Sequence, residues 1–282
     1  MKHIYLNLKR FDIPKSFYGV NQIASMEEWA SHIIKSTQQA LKKYKKDQVE
    51  VAMYFPEAHL LSAIQAKDVD SNIQIGCQSV YREDTKEGGN FGAFTTNRPA
   101  SSMKAVGCET ALIGHCEERN DKAGILNMVG AENTEVVNKI LNQEIKAALA
   151  QGLNVLYCIG EKSEEQDQWQ EVLGKQLEIG LQDVDTSKVV IAYEPIWSIG
   201  PGKQPADKDY ITKIAKFIKE KTNGIDVVYG GGLKKDNAAM LASIEEIDGG
   251  LIALTRFQGE IGYYPEEYLE IIEQYMNHTK VK

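Results

Sequence analysis

Residues 188–203 read Lys188-Val-Val-Ile-Ala-Tyr193-Glu-Pro-Ile-Trp197-Ser-Ile-Gly200-Pro-Gly202-Lys203. The apolar run at its start has the pattern of a buried strand. That strand ends on a carboxylate, Glu194, and Pro195 follows at once. A short loop comes next, with Gly200 and Gly202 inside it. A strand fixes the position of a carboxylate, a proline stiffens one hinge, and glycines let a loop swing. The layout suits a general base beneath a lid made of Trp197, Ser198, Ile199, Gly200, Pro201, Gly202 and Lys203.

The same unit, a short apolar run followed by a helix-period segment, recurs in both directions from this point. Strands are predicted at 3–8, 49–54, 73–78, 110–114, 153–157, 188–193, 226–229 and 249–253. Helical segments are predicted near 25–46, 57–66, 100–106, 133–150, 164–182, 207–221, 236–243 and 265–276. Such alternation implies a parallel sheet, and eight units is the number that closes into a (β/α)8 barrel. The chain of 282 residues has the length of one such domain, and we read residues 1–282 as a single unit. A doubly wound open sheet is the alternative; it usually carries a Gly-rich turn after the first strand. Here that strand ends in Asn7-Leu-Lys9, with no such turn.

Composition narrows the function. With 43% hydrophobic and 26% charged residues the chain reads as a soluble globular protein. A net charge of −8 and a pI near 5.3 give no basic footprint for nucleic acid. An anionic substrate must therefore be drawn by a local positive site. No apolar run is long enough to span a membrane, and the N-terminus does not read as a signal peptide. Cys77, Cys108, Cys116 and Cys158 lie far apart without metal-ligand spacing, so free thiols in a cytoplasmic protein are expected, with no metal.

In a barrel, chemistry sits where strands end and the following loops begin. Four strand ends carry residues that could converge. Asn7 and Lys9, two residues apart, share one face if the first strand continues through them. The fourth strand ends in Gly114-His115-Cys116-Glu117-Glu118-Arg119, the sixth in Glu194, the seventh in Tyr229-Gly230-Gly231-Gly232. A lysine, a histidine and a carboxylate at one mouth suit proton transfer beside a polarised carbonyl, and consecutive glycines expose N–H groups to a phosphate. Singly, each has a plainer reading: a solvated lysine, a structural histidine, a tight turn, a carboxylate paired with arginine. Their combination favours a site.

The connection from 81 to 99 is too long to be idle. Its tip holds Phe91, Phe94 and Thr95. These aromatics either fold back on their own barrel or insert into a partner, expected to be a second copy of the chain.

Several of these segments resemble triosephosphate isomerases. Asn7-Leu-Lys9 is similar to their Asn-x-Lys, Gly114-His115-Cys116-Glu117 to their Gly-His-Ser-Glu, and Ala192-Tyr-Glu194-Pro-Ile-Trp197 through Lys203 to their base-and-lid segment. Tyr229-Gly-Gly231 matches the start of their phosphate loop, Gly92-Ala-Phe94-Thr95 the tip of their subunit-docking loop, and Cys158-Ile-Gly-Glu161 a further signature. The resemblance runs from residue 3 to about 275. It implies a TIM barrel and a cofactor-independent aldose–ketose isomerase, with glycolysis and gluconeogenesis as its setting. Its substrate would be a small phosphorylated sugar, the pair glyceraldehyde 3-phosphate and dihydroxyacetone phosphate. Glu194 would move the proton, His115 would polarise the oxygens as neutral imidazole, and Lys9 would supply positive charge. Asn7, Gly200, Gly231, Gly232, Ala253 and Leu254 would bind substrate, and the protein would be a homodimer. Glu117 would either anchor Lys9 or sit as a carboxylate in a helix's first turn.

The sequence also departs from the family. Ala253 and Leu254 stand where it usually has two glycines, and Arg256 nearby could bind phosphate or pair elsewhere. Gly232 replaces a serine. Pro201 and Pro205 stiffen the lid. Cys116 replaces serine, either as a redox-sensitive thiol at a helix N-terminus or as a small buried thiol. Glu118 replaces arginine, and Asn97 stands where the docking loop often carries glutamate. The drift at the phosphate end raises a four-carbon ketose phosphate of the erythrulose type as an alternative substrate. A Schiff-base aldolase using Lys9 and a non-catalytic sugar-phosphate-binding protein are alternatives of other classes.

Overall fold

The computed structural model describes residues 1–131, 133–199 and 203–279. Eight parallel strands close in sequence order into a barrel. They are β1 (Lys2–Asn7), β2 (Val49–Phe55), β3 (Ile73–Gln78), β4 (Thr110–Ile113), β5 (Asn154–Ile159), β6 (Val189–Tyr193), β7 (Val227–Tyr229) and β8 (Gly249–Ile252). Closure is made by β1 against β8, with His3 opposite Gly249 and Leu6 opposite Ile252. Around them run α1 (Trp29–Leu41), α2 (Leu60–Ala66), α3 (Ala100–Val106), α4 (Cys116–Met128), α5 (Thr134–Ala150), α6 (Trp169–Gly180), α7 (Lys208–Lys221), α8 (Ala238–Ala242) and α9 (Pro265–His278). The barrel expectation is thus borne out. Among the described residues no helix is long and apolar enough to cross a membrane.

The strands are apolar on both faces because both faces are covered. Outward residues such as Ile4, Leu6, Met53, Ile75 and Ile191 meet the helices in one buried layer. Inward residues Tyr5, Tyr54, Leu112, Leu156, Ala192, Val228 and Leu251 fill the barrel itself. Tyr5 and Tyr54 meet edge to face at 6.0 Å. Tyr54 fits only because β3 offers Gly76, where an added Cβ would lie 2.4 Å from the ring.

Two differences from the sequence reading matter for the site. The first strand stops at Asn7, not Leu8. Lys9 adopts a left-handed φ of 42°, and its N–H donates to the Asn7 side chain at 3.0 Å. Lys9 therefore reaches the mouth through a turn and not by strand alternation. The second difference is α4, which the helix-period reading passed over. Only Cys116 and Arg119 are buried along it, so its sequence carries no apolar stripe. Elsewhere the bounds shift by a few residues. The helix predicted at 25–46 is confined to α1, and the one at 164–182 begins as a 3-10 turn, Ser163–Gln168, before α6.

Candidate active site

The C-terminal ends of the strands bring together three of the residues singled out above. His115 ends the β4 connection and is itself the N-cap of α4: its Nδ1 accepts the Glu117 N–H at 3.2 Å. Such a cap fills an orphan donor of the first turn and fixes the ring. The other ring nitrogen, Nε2, lies 3.0 Å from Glu194 Oε1. That contact is off-line for a hydrogen bond, so the buried Oε1 has no aligned donor. Oε2 of Glu194 accepts the Cys116 N–H at 3.0 Å. The carboxylate is 1% exposed, so an unfilled lone pair there is costly unless a ligand uses it.

Burial works against charge on His115, and the adjacent Glu194 works for it; the balance pushes the ring up to about 10. The cap bond pulls the other way, because Nδ1 accepts only while it is unprotonated and the helix N-terminus disfavours a cation. Ligand atoms of His115, Cys116 and Glu194 lie within 4.8 Å of one another.

Lys9 completes the row. Its Nζ donates to Glu117 Oε1 at 2.7 Å, across 108 positions of sequence. Burial raises the Glu117 carboxyl, but Lys9 and the nearby His115 outweigh it and hold it below the ordinary range. Glu117 thus serves both expectations: it sits in the first turn of α4 and it anchors Lys9. A cavity of ≈ 250 Å³ opens here, bounded by Asn7, Lys9, Gln78, His115 and Glu117 among others. A larger cavity, ≈ 700 Å³, lies at the opposite mouth around His3 and Glu50 and touches none of these groups.

Beyond β7 the chain runs into Gly230, Gly231 and Gly232, where the sequence reading expects a phosphate loop. A Cβ on Gly231 would lie 2.3 Å from the Tyr229 hydroxyl, and Gly232 has φ +98°, so both positions require glycine. No acceptor among the described residues takes the N–H of Gly231, Gly232, Ala253 or Leu254. Ala253 and Leu254 are not at positive φ, so their side chains impose no backbone strain. Arg256 is engaged elsewhere: it pairs with Glu267 at 2.6 Å and stacks over Tyr264 at 3.9 Å.

The start of the segment expected to form a lid is tied down. Ile196–Ser198 forms a 3-10 turn, and Ser198 N–H and hydroxyl both bond Pro195 O. Trp197 Nε1 donates to Glu161 at 2.7 Å. The same oxygen accepts from Tyr193 at 2.9 Å and Tyr210 at 3.0 Å. Burial raises the Glu161 carboxyl against these donors. Ile199 is half-buried and Lys203 exposed; Gly200, Pro201 and Gly202 lie outside the described residues.

Other residues fixing the site carried little sequence signal. Arg119 is buried and donates to Gly114 O at 2.8 Å, Cys158 O at 2.9 Å and Asn138 at 2.8 Å, joining β4 to β5. Glu118 accepts from the Gly114 N–H at 2.7 Å and the Ser79 hydroxyl at 2.6 Å, and pairs with Lys122 at 2.8 Å. Glu118, which stands where the family has arginine, thus takes its counter-ion from a lysine of its own helix. Glu161 was flagged by its motif, but its hold on Trp197 depends on three strand and helix ends meeting. Cys116 is buried, as are the other three free thiols. In the 81–99 loop, Phe94 folds onto Tyr81 at 5.6 Å, whereas Phe91 is 88% exposed and Thr95 is exposed.

A parallel eight-stranded barrel whose mouth gathers a carboxylate, an imidazole and an ammonium defines a barrel enzyme equipped for proton transfer. A family model described as triosephosphate isomerase matches residues 23–274. The triosephosphate isomerase of Geobacter metallireducens is 34% identical over 221 residues, covering 74% of this chain and 80% of that protein. That of Alkaliphilus oremlandii is 33% identical over 240 residues, covering 80% and 87%. The crystal structure of triosephosphate isomerase from Bartonella henselae superposes with a TM-score of 0.72 at 24% identity, over 98% of this chain and 99% of that one. The chain belongs to the triosephosphate isomerase family, and so to the isomerases of the intramolecular oxidoreductase class.

Proposed function

We propose that the protein interconverts glyceraldehyde 3-phosphate and dihydroxyacetone phosphate by proton transfer through an enediolate. The observation that carries this reading is the buried Glu194 carboxylate, with one oxygen lacking an aligned donor, 3.0 Å from His115 Nε2. Glu194 abstracts the proton beside the carbonyl and returns it to the neighbouring carbon. That step requires the carboxylate to leave its bond with the Cys116 N–H. Once it turns to substrate, the charge that raises His115 moves away. The ring is then neutral, held by its α4 cap bond, and Nε2–H polarises the substrate oxygens. Lys9, positioned by Glu117, holds positive charge near the carbonyl, and Asn7 orients the turn that presents it.

Phosphate binding rests on the unfilled N–H groups of Gly231, Gly232, Ala253 and Leu254, joined by Gly200 when the lid closes. With no acceptor among the described residues, the N–H groups at 253 and 254 remain free to grip a phosphate despite the lost glycines. The lid, from Trp197 to Lys203, shields the enediolate from water. We place the enzyme in the cytoplasm, in glycolysis and gluconeogenesis, as a homodimer. In such a dimer the exposed Phe91 and Thr95 of one copy would dock on the other copy near its mouth.

A coupled assay with glyceraldehyde 3-phosphate and tetrulose phosphates in parallel tests the substrate. We expect kcat/KM for the triose in the range of ~10⁷–10⁸ M⁻¹s⁻¹. Weak triose turnover with strong tetrulose turnover would replace the substrate and keep the chemistry. Glu194→Gln should abolish solvent deuterium incorporation beside the carbonyl; exchange that survives would sink the assignment of the base.

A further inference from the structure

We propose that Lys234 binds the substrate phosphate through its ammonium group, an inference that rests on the sugar-phosphate reading above. Lys234 stands two residues beyond Gly232. Its N–H donates to Asn237 Oδ1 at 2.8 Å, and Asn237 Nδ2 donates to Gly232 O at 2.9 Å. This turn folds the lysine stem back over the phosphate loop. A Cβ built on Gly232 would lie 3.3 Å from Lys234 Cε. The missing side chain at 232 is therefore the space beside which the lysine runs.

The ammonium lies 4.1 Å from the centre of the Phe257 ring. Phe257 follows β8 by a few residues, as Gly232 follows β7. The stem thus passes beside Gly232, beyond β7, and the ammonium rests on Phe257, beyond β8. It has no carboxylate within ion-pair distance among the described residues. Other lysines that are largely covered do have one: Lys9 has Glu117, Lys122 has Glu118 and Glu144, Lys219 has Asp248. Asp236, on the adjacent turn, acts on it electrostatically, and burial still holds its pKa below the ordinary lysine value.

A half-buried cation with only an aromatic face for a partner is incompletely compensated. A phosphate dianion seated on the Gly231, Gly232, Ala253 and Leu254 amides would supply the missing counter-charge through a charge-assisted hydrogen bond. In a molecule of net charge −8 it would also be a local attractor for an anionic substrate. The serine hydroxyl absent at 232 is replaced in this way by a stronger donor from two residues later.

Lys234→Met tests the proposal, because methionine keeps an unbranched stem against Phe257 and removes only the charge. The readouts are KM and kcat for glyceraldehyde 3-phosphate, the competitive inhibition constant of inorganic phosphate, and phosphate binding by calorimetry. We expect KM and the phosphate constants to rise about tenfold, the scale of one charge-assisted bond, with kcat within about twofold. Lys234→Arg should recover most of the loss. Unchanged KM and phosphate constants in Lys234→Met would overturn the proposal, as would a fall in kcat with KM unmoved. If the wild-type protein turns over no sugar phosphate but its phosphate binding still weakens in Lys234→Met, the substrate reading fails and the role of Lys234 stands. If the wild type binds no phosphate, both fall.

Discussion

His115 carries two jobs on one ring. Nδ1 caps α4 and Nε2 faces Glu194, so substitutions can separate structure from chemistry. Asparagine is a good N-cap and alanine is a poor one. His115→Asn should keep near-native thermal stability and lose about 10²–10⁴ in kcat, the range for a positioned acid–base group. His115→Ala should lose the same activity and about 1 kcal/mol of stability in addition. Equal melting temperatures for the two variants would mean that the cap bond contributes nothing. At the same scale, the sequence showed that His115, Glu194 and Lys9 end their strands or turns. It could not show that the Cys116 N–H holds Glu194, because that contact joins residues 78 positions apart.

Elements are tied together by polar residues that a periodicity reading passes over. His3, 2% exposed, bridges Glu50 of β2 at 2.7 Å and Asp226, just before β7, at 2.8 Å. The Tyr5 hydroxyl joins the same group at 3.0 Å from His3. Burial lowers the His3 pKa, but the two carboxylates outweigh it and raise it overall. Burial raises Glu50, with His3 and Tyr5 more than offsetting it; the His3 bond lowers Asp226. A raised histidine stabilises the fold below its unfolded pKa of about 6.5 and loses that contribution as pH climbs through the folded value. The lowered carboxylates stabilise above about pH 4 and lose it as pH falls. The bridge is therefore strongest between about pH 4.5 and 6.5. His3→Gln should cost about 3 kcal/mol near pH 6, with a deficit that narrows toward pH 9. A deficit independent of pH in denaturant titrations would show that His3 acts by packing alone.

α4 shows the limit of reading elements from pattern. Thirteen residues from Cys116 to Met128 bury only Cys116 and Arg119, so no apolar stripe announces the helix. What starts it is the His115 cap and acidic residues in its first turn, both favourable at a helix N-terminus. α5 and α7 are conventional: Asn133 and Asp207 cap them, and each buries a row of aliphatic residues at helical spacing.

At the scale of the whole molecule, barrel closure turns scattered strand ends into one mouth. Phe91 stands clear of that mouth at 88% exposure, on a loop whose neighbour Phe94 is held by Tyr81. In a dimer Phe91 would be buried. Phe91→Glu should shift the sedimenting species from dimer toward monomer and reduce activity in step with dissociation. A monomeric wild-type protein in velocity sedimentation would remove the docking role assigned to Phe91 and Thr95.

The alternation of apolar runs and helix-period segments is local information, carried by residues within one or two turns of each other. It was enough to read eight strand–helix units, their order, and the ends of the strands to within one or two residues. It was enough also to separate the departures at Gly232, Ala253 and Leu254 from the unchanged Lys9, His115 and Glu194. What the tertiary structure alone decided is who touches whom. Lys9 meets Glu117, Trp197 meets Glu161, Arg256 turns away to Glu267, and Lys234 settles on Phe257. Each of these depends on the register and closure of strands far apart in sequence. Hydrophobic periodicity places a strand in the sheet and leaves the polar partners at its end to the geometry of its neighbours.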